Sequence, residues 1–527
     1  MKHRLLIRAI CATAAIAWLW PIGRARAADI QADSSNYKDK ITSLQPGDRL
    51  ILAAGTYQHF TIRNLNGDQD HWITITGPDQ GQATIQADTG PCCNTIEIVD
   101  SSYVSIENLI IDGLDVGGAF GVSAKDGTSN HVHHIRIEGC TFVHHDAGQQ
   151  TDAISTKTPT WGWIIRGNKI IGAGTGIYLG NSNGDDPFVA GIIEYNLIED
   201  PLGYCMEIKW QQPWPQVDGM PTGPTSTIIR HNVFIKSDRP SPSGDRPNIL
   251  VGGFPSDGPG SQNMYEIYGN FFYHNPRESL IQVSGRVSIH DNIFVDVVGT
   301  AIRLQNHDLP MRLAWIYNNT IYSAGQGIHV GGTLDQGASV VGNLIFADTP
   351  ISGTAPDQRD NMTDSVDAAA NDVVNPSITL GQMDFYPLAG QCQDSAIDLS
   401  TFAQNTDFDR DFNGTDKAGR TFRGAYAGEG TNPGWPLDDG IKDETTQGPD
   451  GGTNADGDTV ADGGPDAGST GDGATNQDGT TGDGSATNSH GSSSGCSCRN
   501  TGGVPNPGLI MLLMAAMFLI RRRRRAA

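Results

Sequence analysis

IIRGNKI, Ile164 to Ile170, returns in altered form as IIEYNLI (192–198), IIRHNVF (228–234), EIYGNFF (266–272), SIHDNIF (288–294), WIYNNTI (315–321) and SVVGNLI (339–345). Each copy places an asparagine (Asn168, Asn196, Asn232, Asn270, Asn292, Asn319, Asn343) after an alternating apolar stretch, with Ile or Phe two residues later. Weaker copies stand upstream in IRIEGCTF, where Cys140 takes the asparagine place, and in SIENLII around Asn108. The copies lie roughly 22 to 38 residues apart, the length of one repeat that cannot bury its own apolar face and must stack on its neighbours.

That repeat, with 66 glycines and only 7% aromatic residues, predicts an all-β fold: a single-stranded right-handed parallel β-helix, a solenoid of stacked coils. A formal net charge of −24 argues against nucleic acid as a partner. About half of it falls in one tract near the C-terminus.

The ends read differently from the middle. Residues 1–27 carry a basic start (Lys2, His3, Arg4, Arg8), an apolar run and Ala25-Arg26-Ala27, the pattern of a secretory signal peptide. Export permits disulfides, and Cys92, Cys93, Cys140, Cys205 and Cys392 fall in the expected folded part, an odd number whose pairing stays open. Cys140, standing in the asparagine column, is expected to be buried and unbonded. Residues 28–435 form the expected β-helix domain with its caps, and residues 436–495 a Gly/Asp-rich disordered linker. Residues 496–527 join a Cys motif (Cys496, Cys498), an apolar run and five arginines, the layout of an anchor for an outer surface or membrane.

LQPGDRLILAAGTYQHFTI, Leu44 to Ile62, opens the repeat with a turn, an alternating strand and a second turn at Gly55. Followed by the asparagine phrase, it resembles the opening of secreted right-handed parallel β-helix proteins of the pectate-lyase-like fold, which includes chondroitinase-B-like and alginate lyases. The resemblance covers roughly residues 29–430 and implies the fold more than the chemistry. The C-terminal segment resembles the sorting signal of myxobacterial surface proteins, which implies processing near Cys496 and display at the cell surface.

A second strand recurs in every coil: GVSAK, AISTK, GIYLG, CMEIK, NILVG, LIQVS, AIRLQ, GIHVG. Alignment puts Val122, Ile154, Ile177, Met206, Ile249, Ile281, Ile302 and Ile328 in one inward column. Successive side chains alternate faces, so Ser123, Ser155, Tyr178, Glu207, Leu250, Gln282, Arg303 and His329 should face outward. Beside them runs Lys125, Lys157, Gly180, Lys209, Gly252. Lysines stacked about 4.8 Å apart repel one another, so a lysine column with no compensating charge reads as an anion-binding groove. By contrast Glu138, Arg166, Glu194 and Arg230 alternate in sign, as a self-compensating structural ladder would. After Lys209 comes the long insertion WQQPWPQVDGMPTGP, whose Trp210 and Trp214 are suited to stacking on sugar rings. Arg239, Arg246 and Arg277 add charge to the same wall.

The family resemblance implies β-elimination from an acidic polysaccharide that contains uronate. That chemistry needs the carboxylate neutralised and a base for the neighbouring carbon-bound proton. Lys209 is the first choice for base, with Lys157 and Arg303 holding carboxylates and Glu207 orienting substrate or a metal; Lys125, Tyr178, Trp210 and Trp214 complete the binding set. GYCMEIKW offers Glu207 alone where chondroitinase-B-like lyases carry two glutamates before their lysine, so their calcium site is not carried over. Asp409, Asp411 and Asn413 fit the start of a calcium loop, but Arg420 stands where its glutamate belongs; calcium is the one cofactor to test. Two alternatives are polygalacturonase-like hydrolysis, with Asp152 and the Asp185/Asp186 pair as carboxylates, and a non-catalytic glycan-binding or adhesion protein.

Overall fold

The structure, a computed structural model, describes residues 27–90, 94–125, 127, 131–214, 217–417 and 419–442. The segments expected to be a signal peptide and a Cys-containing anchor lie outside the described residues, as does the expected linker from residue 443 on; its first residues, 436–442, instead pack on the solenoid, with Leu437 and Lys442 buried. Among the described residues no helix is long and apolar enough to cross a membrane.

The chain winds as a parallel β-helix whose coils have three faces. The first is a 13-stranded sheet built from the strands before each asparagine, such as Ile164–Arg166, Ile192–Glu194 and Ser226–Arg230, all paired in parallel. The second holds the short strand after each asparagine, such as Lys169–Ala173, Leu197–Glu199 and Val233–Ile235. The third holds the other recurring strand, such as Asp152–Lys157, Thr175–Leu179, Met206–Ile208 and Ile249–Val251. Two long strands, Thr320–Val330 and Leu344–Gly353, bend around the corner and serve both the second and third faces. The second-face strand was not separated from the asparagine phrase in the sequence, because only two residues divide it from the first-face strand.

The asparagines form one continuous ladder at the corner between the first and second faces. The Asn168 backbone N–H donates to Asn196 Oδ1 at 3.0 Å, and Asn168 Nδ2 donates to the same oxygen and to Ile137 O at 2.9 and 2.8 Å. The pattern repeats through Asn196, Asn232, Asn270, Asn292, Asn319 and Asn343, and ends on Asn361. Asn168, Asn232 and Asn292 have no exposed surface, so each amide satisfies backbone groups that water cannot reach. Cys140 starts the ladder: its N–H donates to Asn168 Oδ1 at 2.9 Å, and its thiol is buried and free. Cys205 and Cys392 are also buried and free.

The residue before each ladder position turns the corner in the left-handed region: Gly139, Gly167, Tyr195, His231, Gly269, Asp291, Asn318, Gly342 and Asp360 all have φ between 52° and 66°. Asn108 belongs to this column, with φ of 52°. It is therefore not a ladder asparagine, and Leu109 occupies that place; the phrase SIENLII had been read one residue out of register.

Inside, Ile and Val columns from the three faces share one core, and Phe234, Phe272 and Phe294 stack at 5.0 and 4.8 Å between centroids. The alternating-sign column is paired as expected: Glu194 takes Arg166 Nε at 2.6 Å and Arg230 Nε at 2.7 Å. Burial alone would raise the Glu194 carboxyl, but Arg230 and Arg166 outweigh it and hold it below the ordinary glutamate range. Further along, the same column becomes a ring stack of Tyr268, His290, Tyr317 and Phe402.

The ends are closed in two ways. At the N-terminus the helix Tyr37–Ile41 covers the first coil, with Tyr37 against Tyr57 and Phe60. At the C-terminus the segments expected to cap the last coil instead run back along the outside of the solenoid. Phe385, Phe412, Trp435 and Leu437 cover Leu197, Val233, Phe271 and Ile293 on the second face, and Ile397, Leu399 and Phe402 cover Leu313 and Trp315 on the first. Lys442 reaches Gly269 O at 2.9 Å. Neither cluster contains a third-face residue.

The ladder makes one asymmetric stability prediction. Asn232→Ala strands buried donors and acceptors on two coils and should cost about 2 kcal/mol or more, while Asn108→Gly, exposed and already left-handed, should cost under about 0.5 kcal/mol. Urea midpoints of the two variants check this.

Candidate functional site on the third face

The third-face register agrees with the sequence alignment at every coil from Val122 to Ile328. Val122 pairs with Ile154, Ile154 with Ile177, Ile177 with Met206, and so on to Ile302 with Ile328. Lys125 therefore sits opposite Lys157, and Tyr178 opposite Ser155 and Glu207. The outward residues are less open than expected. Ser123, Ser155, Glu207 and Leu250 are buried; Ser123 and Ser155 bond each other at 2.9 Å and Glu207 accepts from Lys209. The glycines among the lysines have a local cause as well. A Cβ on Gly252 would lie 2.2 Å from Trp210 N, and Gly180 has φ of +91° with Asp186 O 3.1 Å from its Cβ position; only glycine lets the chain pass so closely.

The lysine column is compensated, which corrects the sequence reading. Lys125 Nζ lies 3.0 Å from Glu97, Lys157 Nζ 3.7 Å from Asp152, and Lys209 Nζ 2.8 Å from Glu207. The aligned columns missed this because Glu97 lies one coil earlier, while Asp152 and Glu207 lie on the lysines' own strands. What the geometry gathers is a mixed cluster of Asp152, Lys157, Tyr178, Glu207 and Lys209 on three successive coils. Lys157 Nζ sits 3.4 Å from the centre of the Tyr178 ring, and Lys209 Nζ 5.8 Å from it.

Burial governs the electrostatics of this cluster. It pushes the Asp152 carboxyl up to about 7, against the pull of Lys157 and with the added push of the Glu207 charge. It pulls the Lys157 ammonium below the ordinary lysine range; Asp152 and Glu207 resist that shift and Lys209 reinforces it. It also raises the Tyr178 phenol, with Glu207 and Asp152 adding to the shift, so Tyr178 keeps its proton. The site thus holds a lysine whose ammonium form is destabilised by burial, a carboxyl that titrates near neutral pH, and a phenol that stays a donor. Asp152 had been noted only for the hydrolytic alternative; its ion pair with Lys157, five residues along the same strand, is not revealed by periodicity.

Other candidate residues fall elsewhere. Trp214 is buried with Trp161, Val189 and Met220, and its Nε1 donates to Gln211 Oε1 at 2.9 Å; it pins the insertion onto the coils and offers no face to a sugar. Trp210 is half-buried over Gly184. Arg303 is three coils beyond Glu207 in the same column, on the order of 14 Å away, and bonds Ser279 and Thr300. Asp185 is exposed in a turn, accepting from Asn183 Nδ2 at 2.5 Å. Asp411, central to the calcium reading, accepts N–H bonds from Asn413, Thr415 and Ala427 at 2.8, 2.7 and 2.9 Å. Its oxygens are engaged by its own turn and by Ala427, so this loop does not fit a calcium ion.

No family model and no curated protein sequence matches the chain. Among solved structures it is similar in fold to the pectate lyase Pel9A (12% identity over 77% of this chain and 97% of that one, TM-score 0.46). It is also similar to an alginate lyase from Paenibacillus sp. str. FPU-7 (16%, 64% and 95%, TM-score 0.33) and to the PL6 alginate lyase AlyGC (13%, 68% and 55%, TM-score 0.38). These are likenesses of the coil architecture.

The Asp152–Lys157 pair can be tested without a substrate. A folded carboxyl raised to about 7 contributes stability that is complete below the unfolded value and is lost as pH rises through 7. Lys157→Met removes the neighbour that pulls Asp152 down, so the Asp152 inflection, followed by carboxyl ¹³C NMR, should move above its wild-type position. A downward move would contradict the pairing.

Proposed function

We propose that this protein is a polysaccharide lyase that cleaves an acidic, uronate-containing chain by β-elimination on the third face. The observation that carries the proposal is the cluster of Asp152, Lys157, Tyr178, Glu207 and Lys209, gathered on the one face that the C-terminal clusters leave uncovered. Among the described residues no other group sets a partly buried, downshifted lysine beside a carboxyl raised to about 7.

The chemistry distributes as follows. Lys209, first choice for base on sequence, is engaged as a donor to Glu207; as a fixed cation it suits the substrate carboxylate, with Lys125 one coil beyond Lys157. Lys157 takes the role of base. Its free amine accepts the proton from the carbon beside the carboxylate, the electron pair of that C–H bond forms the C4–C5 double bond, and the C4–O4 bond breaks. The departing oxygen accepts a hydrogen bond from the Tyr178 phenol and takes up the proton that Lys157 removed from C5, which leaves a free hydroxyl and returns the amine to its starting form. The placement of the acidic chain along the coils and display at the cell surface belong to the same proposal; display rests on the tail sequence, and antibody labelling of intact cells checks it.

One observation favours a second reading. A carboxyl near 7 with a charged glutamate in its field is also what an acid-catalysed glycoside hydrolase needs, with Asp152 as acid and Glu207 as its partner. The two readings differ in product and in one variant. Incubation with a panel of acidic polysaccharides should give ultraviolet absorbance of an unsaturated uronate, and Lys157→Ala should lower kcat/KM by about 10²- to 10⁴-fold. In Asp152→Asn the lysine loses the charge that most opposes its downshift, so elimination should persist with its pH optimum moved to lower pH. Reducing ends without unsaturation, abolished in Asp152→Asn, would establish hydrolysis; retention on a polysaccharide column without either product would establish a binder.

A further inference from the structure

At the corner between the second and third faces, the loop after Val233–Ile235 and the loop after Phe271–Asn275 line a shallow, open depression. It is lined by Lys236, Arg239, Arg246 and Arg277, with Asp245 as its one carboxylate. Four cations in one hollow stand out on a chain whose formal charge is −24.

Their partners decide what the hollow can hold. Arg239 is neutralised by Asp146 and Asp200. Arg277 has only a loose contact with Asp245, at 3.8 Å. Lys236 is 5% exposed, and the protein partner of its Nζ is a backbone carbonyl, Arg246 O, at 3.0 Å. Arg246 donates to two backbone carbonyls, Asp245 O at 2.8 Å and Ser243 O at 3.3 Å. Among the described residues neither Lys236 nor Arg246 has a carboxylate within ion-pair distance. A buried ammonium without a counter-ion is costly, and burial does pull Lys236 below the ordinary lysine range. The site is also held in shape: buried Asn275 bonds Arg246 O, Asn248 and Ser279 O, all within 3.1 Å.

The hollow adjoins the cluster on the third face. Arg246 lies 5.7 Å from the ring of Tyr204, and Tyr204 stands two residues before Met206–Ile208, the strand that carries Glu207. We propose that the Lys236, Arg246 and Arg277 hollow is an oxyanion-binding site that seats one sulfate or carboxylate group of a polysaccharide lying across the third face. The polysaccharide part rests on the function proposed above; the oxyanion part does not. Two uncompensated cations supply charge-assisted hydrogen bonds to a group of that shape, and the preformed shell avoids ordering cost on binding.

The test uses the full chain and two readouts. In isothermal titration with inorganic sulfate the wild type should bind, and Arg246→Gln and Arg277→Gln should each weaken binding about tenfold. These side chains are half-buried and exposed, so the variants are expected to fold, and unchanged thermal midpoints without sulfate confirm it. On the polysaccharide that the wild type cleaves, or on an immobilised acidic polysaccharide if it cleaves none, Arg246→Gln should raise KM or Kd about tenfold and leave kcat unchanged. Sulfate binding lost in the variants with unaltered polysaccharide affinity overturns the polysaccharide assignment and leaves a site for a free anion. A wild type that binds no sulfate, with affinities unmoved in both variants, overturns the site altogether. A chain that cleaves nothing yet loses sulfate on Arg246→Gln separates failure of the lyase reading from failure of this one.

Discussion

Every coil must turn a corner inside the protein, and the backbone groups at that corner have no water to bond. The asparagine ladder meets this constraint. One side chain per coil donates to the coil before it and accepts from a neighbour's backbone N–H, and each such residue must sit at the same corner of its coil. The left-handed residue just before it supplies the turn. Because the ladder cannot slip by one residue without exposing its amides and burying unpaired carbonyls, it locks the first face and, through the coil, the register of the other two.

From that lock follows the location of the candidate site. With the register set, Lys157, Tyr178, Glu207 and Lys209 must lie on the same side of the third face. The C-terminal segment then decides which faces remain for a ligand, since it buries apolar residues of the first and second faces and none of the third. Apolar outward residues such as Phe271, Ile293 and Trp315 require that cover, whereas the third face presents charged and hydroxylated residues that do not. The insertion after Lys209 is pinned to the coils by Trp214, and the burial of Asp152 and Lys157 moves their proton equilibria.

Much of this was legible in the sequence, for a reason particular to solenoids. When each coil repeats the last, a single period-2 strand aligned across coils gives contacts between residues far apart in the chain, and the third-face pairs from Val122 to Ile328 came out in register on that basis. The ion pairs of Glu194 were legible for the same reason. Four things were not. Lys209 with Glu207 and Lys157 with Asp152 pair within one strand, through side chains that fold back, and a column alignment cannot see them. Trp214 looked like a sugar platform because its hydrophobic partners, Trp161 and Val189, belong to a different coil and a short side pairing outside the three faces. The return path of residues 362–442 along the solenoid depends on outward-facing Phe271 and Trp315, which in sequence are indistinguishable from core residues. Asn108 was misplaced by one residue, since asparagine suits both the ladder and the left-handed turn before it.

The central claim is that the third face around Tyr178 is where a sugar acid is bound and cleaved. The direct measurement is a crystal structure of Lys157→Met soaked with an acidic oligosaccharide that the wild type recognises. A uronate ring across Tyr178, with its carboxylate on Lys209 or Lys125 and its C5 hydrogen directed at the position of the missing amine, is the expected result. An oligosaccharide bound on another face, or one whose carboxylates all lie away from Lys125 and Lys209, would contradict it.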